Sequence, residues 1–241
     1  MKYLINYYDE YYGNEYLRRW RELSAFDKAT NIISAWSSIF NEYGPTLIEI
    51  GCGDGSIISE LIKRGFGRYH MGVEVSKSAL KCAKENLYSK SINIDLLLYD
   101  GSYLPVRDKS FDLAVLSHVL EHVECPRALL IEARRIARYV FVEVPLELNL
   151  RTPRNFKWTD TGHINLFNMI LIRQLIQQVG MQVLVEHITC PRREVFNFRK
   201  PGFLGLVGWV VKKFSLAVFP AAACCFFTYN GSILALALDQ S

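Results

Sequence analysis

From Leu47 onward the chain alternates short unbroken apolar runs with stretches whose apolar positions recur every three or four residues. The unbroken runs are Leu47–Ile50, His70–Val75, Ile92–Tyr99, Leu113–Leu116 and Val140–Val144. Each is too short for a buried helix and predicts a strand covered on both faces. The periodic stretches Ser56–Lys63, Ser78–Leu87 and Arg127–Ala137 predict amphipathic helices between them, the signature of a parallel sheet with helices on both sides. A further helix is expected over Asn168–Val179, stopped by Gly180 in the C′ position. Strands over Gln182–Ile188 and Ser232–Leu238 follow, which makes seven. Before Leu47, Tyr16, Trp20, Leu23, Phe26, Ile33, Trp36 and Phe40 form one helical stripe that Gly44-Pro45 terminates. The organisation expected is a helical cap over 1–43 and one α/β domain over 44–241, with an apolar insertion at about 196–229.

The strongest chemical signal is Leu47-Ile48-Glu49-Ile50-Gly51-Cys52-Gly53-Asp54-Gly55, set directly before a helix. A strand, a tight glycine turn and a helix N-terminus let a ligand approach the backbone where a Cβ would block it. Dinucleotide sites use a related turn, but their GxGxxG pattern requires glycine where this chain has Ser56. Glu49, two positions before the first glycine, suits a ligand carrying an ammonium and a sulfonium better than a pyrophosphate. That favours S-adenosylmethionine. Gly72-Val73-Glu74-Val75-Ser76 follows about twenty residues on and places an acid where it can accept from a ribose diol. In Tyr99-Asp100-Gly101-Ser102, at the end of the third strand, Asp100 is placed to accept from an adenine amino group.

Taken in order, E-x-G-C-G-D-G, G-V-E-V-S, D-G-S-x-L-P and S-F-D-L-x-x-x-S-H-V-L-E-H resemble the class I S-adenosylmethionine-dependent methyltransferases, close to the type-11 and ubiquinone-biosynthesis-like branch. The resemblance spans about residues 45 to 146, and Gly162-His163-Ile164-Asn165-Leu166-Phe167 is similar to the motif after the fifth strand. It implies a Rossmann-like, seven-stranded, mostly parallel sheet of order 3-2-1-4-5-7-6 with strand 7 antiparallel. It implies that Gly51, Gly53 and Gly55 line the methionyl portion with Glu49 near its ammonium, and that Glu74 with Val75 holds the ribose. Asp100 with Gly101 then reads the adenine, and Ser117 and His118 border the transferable methyl group.

His163 precedes a helix on the active-site side, where a neutral imidazole takes a proton from an acceptor hydroxyl or amine. It is the first candidate for that role and His118 the second, each set against a purely structural hydrogen bond. His118 and His122 are four apart on an expected helix, a spacing that chelates metals. Their motif resembles metal-independent enzymes and no third ligand stands out, so no metal is assigned. Glu143, inside a buried strand, needs a partner or a pocket. Six tyrosines among the first sixteen residues mark either a lid over the cofactor or an aromatic underside of the cap.

Lys plus Arg exceed Asp plus Glu by only 28 to 24, and the basic clusters at Arg134-Arg135-Arg138 and Arg192-Arg193 read as solvated faces. Both points argue against a nucleic-acid acceptor and leave a small or lipid-like one. Cys52, Cys82, Cys125, Cys190, Cys224 and Cys225 show no CxxC pair and read as thiols in a reducing compartment. With no apolar h-region at the N-terminus, the expected location is the cytoplasm. The insertion carries Lys212-Lys213 in mid-run and is too short on either side to span a bilayer. It is expected to wall the acceptor pocket or meet a partner, with peripheral membrane contact through 202–227 as the other reading.

Overall fold

The computed structural model describes residues 11–12, 14–41, 44–157 and 162–238. Helix α1 (Glu15–Ser37) leads into β1 (Thr46–Ile50), α2 (Ser56–Lys63), β2 (Tyr69–Glu74), α3 (Lys77–Ser89), β3 (Asp95–Leu98) and β4 (Phe111–Ser117). A 3-10 turn (Leu120–His122), α4 (Pro126–Ile136), β5 (Ala137–Pro145), α5 (Met169–Gln178) and β6 (Met181–Thr189) continue the alternation. Three helices, α6 (Arg193–Arg199), α7 (Phe203–Val218) and α8 (Pro220–Phe226), then precede β7 (Asn230–Ala237).

The strands form one sheet of order β3-β2-β1-β4-β5-β7-β6, and β7 runs antiparallel to both its neighbours. The expected architecture is therefore the observed one. Adjacent residues of each central strand point to opposite faces. Leu47, Leu113, Val115 and Phe141 join α1 and α2 in one core, while Ile48, Ala114, Leu116, Val140 and Val142 join α4 and α5 in the other. Two covered faces leave no solvent side, and that is why these strands read as continuous rather than alternating apolar runs. Truncating a side chain as enclosed as Phe141 (0% exposed) costs about 3–5 kcal/mol in such a core.

Local capping agrees with the sequence. Asn14, Ser76 and Asn168 accept hydrogen bonds from the amides of Leu17, Ala79 and Leu171, starting α1, α3 and α5. Pro126 opens α4, and Gly180 follows α5 with φ 75°. The third strand is shorter than expected, because Ile92, Asn93 and Ile94 lead into it without pairing.

Helix α1 corrects the expected stripe. Tyr16 and Phe26 face solvent, and the buried face is Arg21, Ser24, Ala25, Ala29, Asn31, Ile32, Ala35 and Trp36. Small residues let the helix lie close on the sheet, and the polar ones have partners inside. The helix also stops at Ser37, before Gly44-Pro45. Residues 1–10 of the cap, including Tyr3, Tyr7 and Tyr8, lie outside the described residues.

The sheet order reverses between β1 and β4, so the crevice beyond their carboxyl ends is where such sheets hold ligands. Ile50, Glu74, Ser117 and Pro145 all end strands on this rim.

Candidate active site

The β1–α2 turn is built from left-handed backbone. Gly51, Gly53 and Gly55 have φ of 75°, 55° and 70°, a region costly to any residue with a Cβ. Space excludes larger residues too: a Cβ on Gly51 would meet Val119 Cγ2 at 2.8 Å, and one on Gly53 would meet Tyr12 Oη at 2.5 Å. Glu74 locks the turn from the next strand. Its Oε2 accepts from the Gly53 amide at 2.9 Å, and its Oε1 accepts from Val75 at 2.8 Å and Ser76 at 3.0 Å. Burial pushes the Glu74 carboxyl up, and the amides of Ser76, Gly53 and Val75 hold it partly back. Asp54, inside the turn, forms a buried 2.6 Å pair with Arg21 of α1, whose guanidinium also lies over the rings of Tyr11 and Tyr12. The helical cap is thereby bonded to the glycine turn.

Three buried polar atoms beside this turn have no hydrogen-bond partner among the described residues: Glu49 Oε2, Arg21 Nη2 and Ser56 Oγ. Burial raises the Glu49 carboxyl well above the usual range, opposed by the charge of Lys28. A lone buried acceptor and a lone buried donor are expensive unless something completes them. An amino acid moiety, with its ammonium and carboxylate, has the two groups required. Across the cleft, Asp100 turns the next loop by accepting from Ser102 and Tyr103, and Val75 faces Gly101.

At the end of β4 the backbone twists into the left-handed region at His118, φ 58°. This is not the helix expected for His118 and His122, since only Leu120–His122 form a 3-10 turn. The twist inserts the imidazole between two fully buried carboxylates, with Nδ1 at 3.1 Å from Glu121 and Nε2 at 3.3 Å from Glu143. Burial pushes the His118 pKa down, but these two acids outweigh it and the net direction is up. Burial likewise pushes Glu121 up, and His118 and His122 reverse it. Glu143 Oε2 accepts from Asn31 Nδ2 at 2.6 Å and Oε1 from Ser117 Oγ at 3.3 Å. One acid in a buried strand thus joins α1, β4 and β5.

On the acceptor side, His163 Nδ1 lies 2.6 Å from Glu147 Oε2, and its ring meets His122 edge-on at 4.8 Å between centroids. Glu121, His122 and His163 bring one ligating atom each within 4.8 Å of one another; His118, the partner of His122 in the sequence reading, is not one of the three. All these residues, with the glycine turn, Glu74 and Asp100, line one cleft of about 1150 Å³. The far wall is Pro191, Val195, Phe196, Arg199, Lys200 and Lys212, from α6 and α7. Of the sequence-assigned site residues, Glu49, Gly51, Gly53, Glu74, Val75, Asp100, Gly101, Ser117, His118 and His163 line this cleft; Gly55 does not, and packs instead against Leu87 and Ala83 of α3. Arg21, Lys28, Asn31, Glu121, Glu147 and Lys212 were not assigned. Only Glu121 lies within one of the motifs that could have drawn attention to it.

A glycine turn after β1, an acid ending β2, a turn-forming Asp after β3 and this sheet order are those of the class I, Rossmann-like methyltransferase fold. Residues 48–139 match the family described as "Methyltransferase domain". Over 96 residues the chain is 29% identical to the ubiquinone biosynthesis O-methyltransferase of Thiobacillus denitrificans, covering 39% of this chain and 40% of that protein. The chain thus spans about two fifths of that curated relative. Among solved structures it is similar to phosphoethanolamine N-methyltransferase 2 of Haemonchus contortus in complex with S-adenosyl-L-methionine, with TM-score 0.64, 16% identity, and 87% of this chain and 52% of that one covered. It is also similar to the [4+2]-cyclase SpnF, with TM-score 0.62, 16% identity, and coverage of 86% and 80%. At such identities these two likenesses concern the fold.

Proposed function

We propose that the chain transfers a methyl group from S-adenosylmethionine to a small or lipid-like acceptor. The observation that carries this reading is the orphan pair Glu49 Oε2 and Arg21 Nη2 beside the glycine turn. Glu49 would take the ammonium, Arg21 the carboxylate, Glu74 with Val75 the ribose, and Asp100 with Gly101 the adenine. Bound there, the cofactor supplies a methyl group on a sulfonium, an electrophile that needs no further activation. The chain's work is to align the acceptor and exclude water. A cleft of about 1150 Å³ exceeds what one drug-sized ligand fills and leaves room for an acceptor beside the cofactor. A nucleic-acid acceptor is disfavoured because three members of the basic clusters are tied up by internal partners, leaving only Arg138 and Arg193 exposed among them. Arg134 donates to Val179 and Leu238 carbonyls, Arg135 is held by Glu132 and Asp108, and Arg192 by Asp27.

Titration with S-adenosylhomocysteine and with NAD tests the cofactor assignment directly, since NAD binding without a response to the homocysteine ligand contradicts it. The raised Glu49 adds a signature of its own. Ligand-free, the buried carboxyl keeps its proton above the ordinary carboxylate range. An arriving ammonium stabilises the ionised form, so binding releases a proton, and affinity climbs with pH until the raised value is passed. Calorimetry in buffers of different ionisation heat reads the released proton, and Glu49→Gln abolishes it. Affinity that is flat from about pH 5 to about pH 8 with no proton released would place the ammonium elsewhere.

His163 is the proposed proton acceptor where the acceptor atom must lose one. Glu147 holds Nδ1 and so fixes the orientation of the ring on the cleft. His118, clasped by two carboxylates, orients the strand end instead. Given an acceptor found by screening labelled cofactor against metabolite and lipid extracts, His163→Ala should lower turnover roughly 100-fold or more. S-adenosylhomocysteine affinity should stay within about twofold. An equal loss of both makes the residue structural.

A further inference from the structure

Helix α7 is turned inside out. A helix on a globular surface places its apolar stripe inward and its charges outward. In α7, Gly205 is buried, Leu206, Gly208, Trp209, Lys212 and Leu216 are half-buried, and Phe203, Leu204, Val207, Val210, Val211, Phe214 and Val218 are exposed. The outward residues recur at helical spacing along the whole helix, so they form one stripe rather than scattered exceptions. Phe203 and Leu204 are 77% and 85% exposed, Phe214 is 65%, and Phe219 at the junction with α8 is 64%. Phe226 of α8 extends the patch, and so does Leu150, whose amide donates to the Cys225 carbonyl at 3.0 Å. Soluble surfaces rarely leave apolar area this continuous without a use for it.

The inward side explains why the stripe cannot turn in. A Cβ on Gly205 would lie 1.8 Å from the Lys200 carbonyl oxygen, so α7 is pressed against the end of α6 at that point. Trp209 Nε1 donates to the Pro191 carbonyl at 2.9 Å, and Tyr229 Oη donates to the Lys212 carbonyl at 2.7 Å. These contacts fix the rotation of α7 about its axis.

We propose that the exposed face of α7 and α8 docks the protein on an anionic bilayer surface, with the helices lying in the headgroup layer and not crossing it. Charge selects this occupant. From Val195 to Leu238 the chain contains no Asp or Glu; Lys213 is exposed beside the apolar face, while Arg199, Lys200 and Lys212 stand on the cleft side of the same segment. Arg151 adjoins Leu150 on the same side and is exposed. An apolar stripe edged only by cations matches a headgroup layer carrying negative charge. Length excludes the alternative of crossing. Sixteen residues make α7 about 24 Å long, short of a hydrocarbon core of about 30 Å. No helix among the described residues is long and apolar enough to cross a membrane. The docking face stands back to back with the cleft wall, because Lys212 lines the cleft while Val211 and Phe214 point away. A docked protein therefore holds its acceptor side against the lipid.

Co-sedimentation with vesicles tests the proposal without cofactor or acceptor, so its outcome is separate from that of the methyl-transfer reading. The full chain is mixed with vesicles of phosphatidylcholine alone or with added phosphatidylglycerol, at low and high salt. Binding to the anionic vesicles that weakens with salt is expected. The variant Phe203→Ser/Leu204→Ser/Phe214→Ser should lower partitioning roughly tenfold or more, because affinity follows buried apolar area. Its S-adenosylhomocysteine affinity should match the parent's, which verifies folding, since none of the three lines the cleft. Lys213→Glu should weaken binding to anionic vesicles alone. Parent protein that ignores both kinds of vesicle overturns the proposal. So does a dimer in sedimentation velocity that the triple variant converts to monomer, which would make a second copy the occupant.

Discussion

Replacing Glu74 with alanine should weaken S-adenosylhomocysteine binding about 100-fold, or close to 3 kcal/mol, the largest loss expected from any single side chain on the cofactor half of the cleft. The reason is that Glu74 does two things. In the structure it accepts three backbone amides, one of them from Gly53 in the turn opposite. In the proposed complex it also accepts from the ribose diol. Alanine removes the ribose contact and releases a turn whose left-handed glycines need to be held. Glu74→Gln keeps one acceptor and should fall between alanine and the parent. Calorimetry at fixed pH decides it, and an alanine variant within threefold of the parent would show that the acid is a turn lock with no part in binding.

Glu143→Ala should produce the largest loss of stability of any change at the site, about 3 kcal/mol. Its carboxylate is wholly enclosed and serves Asn31 of α1, Ser117 of β4 and the His118 imidazole together. Alanine leaves the Asn31 amide turned to a void and removes one of the two acids that keep the His118 pKa up. For a chain of this length the expected fall in melting temperature is roughly 6–12 °C. Glu143→Gln retains an acceptor oxygen for Asn31 and should cost less than half as much. Thermal unfolding followed by circular dichroism separates the pair. Equal losses for both would mean that charge, not hydrogen bonding, holds this junction.

The sheet was legible because its central strands are buried on both faces and so contain little but apolar residues. The expected Ser56–Lys63 matches α2 end to end, since a glycine turn and Arg64-Gly65 bracket it. The cleft residues proposed for the cofactor were legible for a related reason: the β1–α2 turn and the end of β2 are short, and their geometry is local. What escaped the sequence was which residues pair across the chain: Glu143 read as needing a partner, but nothing pointed to Asn31. Asn31 and Glu143 are 112 positions apart, and Arg21 and Asp54 are 33 apart. Neither α1 residue drew attention, because the expected apolar stripe ran along other positions. Phe26 carried that stripe, yet it lies outward beneath the guanidiniums of Arg64 and Arg192. His118 misled in another way. A left-handed twist at a non-glycine residue has no marker in the sequence, and the helical spacing to His122 suggested a geometry that the backbone does not adopt.

The last strand in the chain is not the last in the sheet. β7 lies between β5 and β6 and pairs with both along its length. During synthesis β5 and β6 therefore leave the ribosome without each other, each with an open hydrogen-bonding edge, while α6, α7 and α8 are still being made. Neither edge closes until Asn230–Ala237 arrives, and when it does, two pairings form in a single event. A nascent chain thus carries a gap in the middle of this sheet until β7 is made, beside an apolar helix that the folded domain also leaves exposed. Chaperones that cover unpaired strands have most to do at that moment. Loss of Asn230–Ala237 would leave not a slightly trimmed domain but two separated pieces of one sheet.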